Sequence, residues 1–356
     1  MRYNFRKLQD NPRWLLWMGG AIALAAVVAG GWLLVQSLSP APPTIATTPL
    51  STDTKNLAPT LPFQALKNVR VFATTPSPIH SLAISSDNRF LVSGDNDGTI
   101  QIWDLKSGQL RHTLTQHKFA VLSLAISSDN QTLASASRDR TVKIWSLVTG
   151  QLQRSLDRHQ DAVNSVTFSP DGERLVSGSR DTTINIWNWR AGQLQQTLTE
   201  DSFPVYSVAI SPDNRWIASG GFQGIELWDA QSGTLVKSLP GHYKDVNSLV
   251  FSPDNRFLIS GSRDRAVNIW DIKTGKVLHN LFGHFLEVET VAIHPDGTII
   301  ASGSADKTIK LWHLQSGQLI DTLEEANGKV AAIAISQDGK YLISASQDRT
   351  IRIWQE

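Results

Sequence analysis

Cysteine is absent from the 356 residues. This excludes disulfide bonds, thiolate metal sites and a cysteine nucleophile, and it frees folding from the redox state of either side of a membrane. The common chemical signatures are missing as well. The nine histidines include no HExxH pair, and there is no GxSxG elbow, no GxxxxGK[ST] phosphate loop and no GxGxxG dinucleotide fingerprint. The sequence therefore nominates no catalytic residue, metal ligand or cofactor. An excess of charge is lacking too, with a formal net charge of +1. Within residues 1–65, five cationic residues against two anionic ones leave +3, and 28 against 30 in the remainder leave −2. A slightly acidic remainder lacks the footprint of a protein that grips nucleic acid through many phosphate contacts.

Charge is missing altogether from Trp14 to Leu38. At ~1.5 Å per residue, a helix of that length crosses a hydrocarbon core of ~30 Å. Trp14, Trp17 and Trp32 lie near its ends, where indole rings suit the membrane interface. Arg2, Arg6, Lys7 and Arg13 precede it and no charge follows until Asp53, so the positive-inside rule puts the amino terminus in the cytoplasm. Two readings stand: an uncleaved signal anchor, which the length of the apolar run favours, or a cleaved signal peptide. Pro40, Pro42, Pro43, Pro49, Pro59 and Pro62 then fall among Ser, Thr and Ala, a composition that favours an extended tether. The division is a basic cytoplasmic segment at 1–13, a transmembrane signal anchor at 14–38, a Pro/Ser/Thr-rich linker at 39–65 and a repeat domain at 66–356.

The repeat domain is built on one recurring stretch, His159 to Trp187. Its closing tryptophan has counterparts at Trp103, Trp145, Trp228, Trp270, Trp312 and Trp354, at intervals of 41 or 42 residues. A period near 40 with several short strands per copy is the signature of a radial array. The endings Ile102-Trp103-Asp104, Leu227-Trp228-Asp229 and Ile269-Trp270-Asp271 resemble the WD-repeat family, as does a histidine 28 residues before the tryptophan in four copies. Ser146, Asn188, His313 and Gln355 depart from it at the aspartate. The resemblance implies an all-β, seven-bladed β-propeller, and with the amino-terminal segments the expected architecture is a seven-bladed β-propeller preceded by one transmembrane α-helix and a Pro-rich linker. The regularity of the copies looks like that of bacterial WD-repeat proteins.

In the copy ending at Trp187, strands are expected at Val163 to Ser169, Arg174 to Ser179, Thr183 to Asn188 and, outermost, Gln193 to Leu198. The last copy ends without an outer strand of its own. Stepping back one period from Gln109 to Leu114 predicts that Val69 to Phe72 pairs with Thr350 to Trp354 and closes the ring, removing an exposed edge.

His159, Ser177 and Asp181 look like a catalytic triad. The same set returns as His117, Ser135 and Asp139, as His242, Ser260 and Asp264, and as His284, Ser302 and Asp306, and one active site does not need a copy in most blades. The family resemblance implies instead a structural hydrogen-bonded chain of Asp181, His159, Ser177 and Trp187. Thr75, Ala326 and Asp201 replace the histidine in the first, last and fourth copies. The fourth also has Gly221-Phe222-Gln223-Gly224 in place of a Ser-Arg-Asp turn, and Phe203, Tyr206 and Phe222 are expected to approach one another there. Two readings of these rings stand equal, a binding site or the filling of space left by the missing chain. Arg138, Arg180 and Arg263 each precede a turn aspartate. They read as ordinary hairpin-tip residues or, by the resemblance, as part of a partner-binding face, with Asp245, Glu287 and Glu289 adding acidity. Asn130-Gln131-Thr132 is an isolated glycosylation sequon.

The expectation is a non-enzymatic, membrane-tethered scaffold that binds proteins or peptides, not nucleic acid, on a propeller face outside the cytoplasm. The alternative is an enzyme or small-ligand receptor using the central channel.

Overall fold

The computed structural model describes residues 62–63, 66–199, 203–324 and 327–355. The basic segment, the expected span at 14–38 and all of the linker except residues 62 and 63 lie outside the described residues, as do Asp201 and Ala326. Among the described residues there are 27 strands and no helix long and apolar enough to cross a membrane.

The third blade shows how the sequence makes the unit. Its strands Val163–Phe168, Leu175–Ser179, Thr183–Asn188 and Gln193–Thr199 pair antiparallel in that order. The first hairpin turns where the Ser169 hydroxyl donates to Asp171 (2.5 Å) and accepts from the Arg174 amide (2.9 Å), with Gly172 supplying φ 71°. A positive φ of this kind carries no steric cost for glycine. Leu175–Ser179 is buried along its whole length, since blades cover both faces of a middle strand. The core therefore lies between blades: Ala134 and Ile144 of the second pack with Val163, Leu175 and Trp187 of the third. Contact is close enough that a Cβ on Gly178 would sit 2.6 Å from Val205 Cγ1 of the next blade.

The first strands of the blades line up side by side around a closed ring. Side chains stitch neighbours together. On the channel wall, Ser123, Ser165 and Ser248 accept the amides of Val166 (3.2 Å), Val208 (3.1 Å) and Val291 (3.1 Å) from the following blade. At one end of the ring, Asn130, Asn255 and Asn88, all at positive φ, accept the amides of Ser86 (2.8 Å), Asp213 (3.0 Å) and Gln337 (3.1 Å). The last of these joins the seventh blade to the first.

Closure follows the predicted pairing, extended at both ends. Lys67–Thr74 runs antiparallel to Thr350–Gln355, with Asn68 opposite Trp354 and Thr74 opposite Thr350. Phe72 meets the edge of Trp103 at 5.7 Å between ring centroids, so the closing strand also bonds the seventh blade to the first. Phe63 is buried in the cluster that contains Leu66 and Trp354.

The fourth blade is the irregular one. A single 17-residue strand, Leu235–Phe251, serves as its outer strand and as the inner strand of the fifth blade, so the two share a seven-stranded sheet. The cause is the altered turn: Gln223 takes φ 67°, Phe222 pairs with Asp245, and the Val246 amide donates to the Gly221 carbonyl (3.0 Å).

The ring has two distinct ends. Arg138, Arg180 and Arg263 donate their amides to Ala120, Ala162 and Asp245 (2.9 Å each), which binds each second hairpin turn to the loop entering its blade. The amides of Leu147, Ala230 and Ile272 tie the remaining turns together at the other end.

Candidate functional site

The four histidine sets are continuous hydrogen-bonded chains. In the second blade, Trp145 Nε1 donates to Ser135 Oγ (2.8 Å), Ser135 Oγ lies 2.7 Å from His117 Nε2, and His117 Nδ1 lies 2.8 Å from Asp139. The matching distances are 2.9, 2.8 and 3.0 Å through Trp187, Ser177, His159 and Asp181. A neutral histidine protonated on Nδ1 satisfies every atom: indole to serine, serine to imidazole, imidazole to carboxylate. Burial alone would raise the aspartate pKa values, but the histidine, hydroxyl and amide donors overcome it. Asp139, Asp181 and Asp306 are held well below the usual carboxylate range, and Asp264 is lowered to about 2. Ser135, Ser177, Ser260 and Ser302 are fully buried, each beneath a tryptophan. The hydroxyls are closed off from solvent, the arrangement expected of struts.

Where the histidine is missing, other groups respond. In the seventh blade Arg352, buried, pairs with Asp348 at 2.9 Å and takes the place of the imidazole as the side-chain donor to the aspartate. In the first blade Thr75 turns away to the Ser77 carbonyl (2.6 Å), and Trp103 reaches Ser93 at 3.4 Å. Asp97 does not close a chain there. Its amide donates to Asp95, a buried carboxylate standing where five of the other six blades have serine.

The predicted arginines do converge. Arg138, Arg180, Arg263 and Tyr206 line one cavity of about 300 Å³ at a mouth of the channel. The inner strands put their side chains there through a β-bulge that follows the opening valine or isoleucine in most blades, as between Val163 and Ser165. The extra residue is unpaired and re-aimed. In ring order the residues so placed are His80, Leu122, Asn164, Asn247, Glu289 and Ala331, and Tyr206 takes the matching position of the fourth blade without a bulge, just before the inner strand Ser207–Ile210. Asn164 and Asn247 donate to the Val205 (2.8 Å) and Val288 (3.0 Å) carbonyls of the next blade.

Electrostatically the mouth is uneven. Arg263 pairs with Asp245 (2.8 Å) and lies over the Tyr206 ring (5.4 Å), while Lys329 pairs with Glu289 (2.9 Å). Arg138 and Arg180 are exposed and, among the described residues, their guanidinium groups have no hydrogen-bond or ion-pair partner. Burial pushes the Tyr206 pKa up, and the charge of Asp245 adds to it. Burial pushes the His80 pKa down against its hydrogen bond to Asn96, and the fields of Lys329 and Arg138 push the same way. His80 is therefore neutral near pH 7, and two cations remain unbalanced in the mouth.

The aromatic trio divides. Phe203 and Phe222 lie 5.3 Å apart and partly exposed, beside a cavity of about 330 Å³, whereas Tyr206 belongs to the mouth. Sequence reasoning missed His80 and Lys329. It also missed Phe119, Tyr243 and Phe285, which are 58%, 77% and 79% exposed in the loops at the same end of the ring. Each of these three sits one or two residues after a chain histidine, so aligning the copies on that histidine would have exposed them. The sequon does not present a free acceptor, because Asn130 exchanges hydrogen bonds with Ser86 across two blades.

A family model described as WD domain, G-beta repeat matches residues 66–104, 108–146, 150–188, 192–229, 233–271, 275–313 and 317–355. Each match begins one strand before its blade, in keeping with closure by the first strand of the domain. No curated protein matches the chain.

Proposed function

This chain belongs to the WD40 repeat family, and on that premise we propose that it is a membrane-tethered, non-enzymatic scaffold that holds a protein or peptide on the end of the ring bearing the arginine-lined mouth. The observation that carries the reading is the convergence of Arg138, Arg180, Arg263 and Tyr206 on one cavity. That cavity is flanked at the same end by exposed aromatic rings. Buried aromatic and arginine anchors dominate the energetics of protein interfaces, and both types stand here solvent-exposed on a rigid platform.

The tether is the charge-free run from Trp14 to Leu38, read as a signal anchor with a cytoplasmic amino terminus and an extracytoplasmic propeller. Protease added from either side of the membrane tests it. Cleavage of the propeller from the cytoplasmic side alone would overturn the orientation. For the scaffold itself, the test is crosslinking in intact cells of the native chain against a Phe203→Ser, Phe222→Ser, Tyr206→Ala variant that keeps its thermal unfolding. Loss of specific crosslinked partners is the expected result. Retention of all of them refutes the face.

A further inference from the structure

We propose that the half of the mouth formed by the second and third blades is a receptor for an acidic segment of the partner polypeptide, with its carboxylates taken up by Arg138 and Arg180. This deepens the scaffold reading and rests on it.

The mouth itself supplies the pattern. Around this one cavity stand four side-chain cations, Arg138, Arg180, Arg263 and Lys329. Two are already matched by carboxylates of the chain, Arg263 by Asp245 and Lys329 by Glu289. Both pairs lie in the half belonging to the later blades. The other half has the same guanidinium at the same turn position and no acid opposite it: the inner-strand residues there are Leu122 and Asn164, where the sixth blade has Glu289. The unfilled positions call for what fills the others, a carboxylate for each cation, delivered from outside.

The surroundings favour an anion over a cation or a neutral polar group. Leu122 and Ala162 give this half an apolar wall, which weakens solvent screening of a charge pair formed against it. Guanidinium forks match carboxylates with two parallel N–H donors. The partner is a polypeptide and not a polyanion of the nucleic-acid type, because two unmatched cations beside two fixed carboxylates neutralise too few phosphates to hold one. Phe119 stands 58% exposed in the loop whose Ala120 carbonyl accepts the Arg138 amide. It offers an apolar side chain of the segment a contact beside the acid.

The probe is a fluorescent peptide with two glutamates flanking a phenylalanine, read by anisotropy against the full-length chain, with its glutamine twin and a phosphoserine version. The glutamate peptide is expected to bind about tenfold or more tightly than the twin, with the difference shrinking as salt rises. Arg138→Gln and Arg180→Gln should each weaken it about fivefold to tenfold and together abolish the preference. The lysine variants should retain part of it, and Arg140→Gln and Arg265→Gln, at exposed positions of the turns that carry Arg138 and Arg263, should leave it unchanged. Equal binding of glutamate and glutamine peptides, or glutamate binding untouched in the double variant, overturns the proposal. So does binding confined to the phosphoserine peptide. In cells the two readings separate cleanly: partners kept by Arg138→Gln, Arg180→Gln but lost by the Phe203, Phe222, Tyr206 variant leave the scaffold standing and remove the acid receptor.

Discussion

Replacing Asp264 by alanine tests whether the histidine chains are struts. Asp264 accepts from His242 (2.8 Å), the Tyr243 amide (2.9 Å) and the Ala266 amide (3.0 Å). A hydrogen bond to a charged group contributes ~1.5–3 kcal/mol, and the three are not additive because they share one carboxylate. Truncation also strands the buried His242 Nδ1 donor. A loss of about 3 kcal/mol follows. For a domain of this size each kcal/mol shifts Tm by about 2 °C, so Tm should fall by about 6 °C at pH 7. The control is Asp254→Ala. Asp254 accepts only from Ser252 (2.5 Å) and the Arg256 amide (3.0 Å) in an exposed turn, and its loss should cost about 1 kcal/mol, as for a cap. The pH dependence gives a second reading. Folding lowers the Asp264 pKa to about 2 from an unfolded value of ~3.9. Its stabilisation is thus complete above about pH 5 and disappears as pH falls from about 4 toward 2. Circular-dichroism melts of the two proteins should keep a constant gap above pH 5, closing below pH 4. No gap at pH 7, or an equal gap at pH 2.5, refutes the strut.

Deleting Lys67–Thr74 leaves Thr350–Gln355 as an open sheet edge and removes the Phe72–Trp103 contact. Limited proteolysis should find the propeller no longer resistant and its unfolding no longer cooperative. Gly178→Ala places a methyl 2.6 Å from Val205 Cγ1 and 2.8 Å from Val208 Cγ1, and overpacking of that kind should cost about 1–3 kcal/mol by chemical denaturation.

Blade number, strand order and closure were legible because each depends on spacing alone. The tryptophans count the blades, and subtracting one period from Gln109 to Leu114 finds the closing strand to within two residues at either end. Side-chain destinations were less legible. Tyr206 was grouped with Phe203 and Phe222 because their positions fall in neighbouring loops of the repeat, but Tyr206 stands just before the inner strand of the fourth blade and its ring goes to the mouth beneath Arg263. The lost histidine of the seventh blade was visible as Ala326, while its substitute was not, since Arg352 lies on a strand 26 positions later and faces Asp348 only once the hairpin forms. The Lys329–Glu289 pair spans 40 residues and joins two blades that no local pattern connects.

One column of the repeat sets the chemistry of the mouth. Its residues are His80, Leu122, Asn164, Tyr206, Asn247, Glu289 and Ala331, which differ in size, charge and polarity. The residue just before each is Ile79 or valine in every blade, all fully buried. That neighbour must fill the space between two blades, and in a close-packed interior a methyl group more or less is felt. In the other six blades the bulge turns the next side chain toward the mouth, where its contacts vary: Asn164 and Asn247 bond to the following blade and Glu289 pairs with Lys329. Uniformity in one column and diversity in the next are therefore two sides of the same geometry. A symmetric ring offers a partner no direction to dock in. The varied column, the turn arginines it leaves unmatched in two blades and the irregular fourth blade together break the symmetry of this ring.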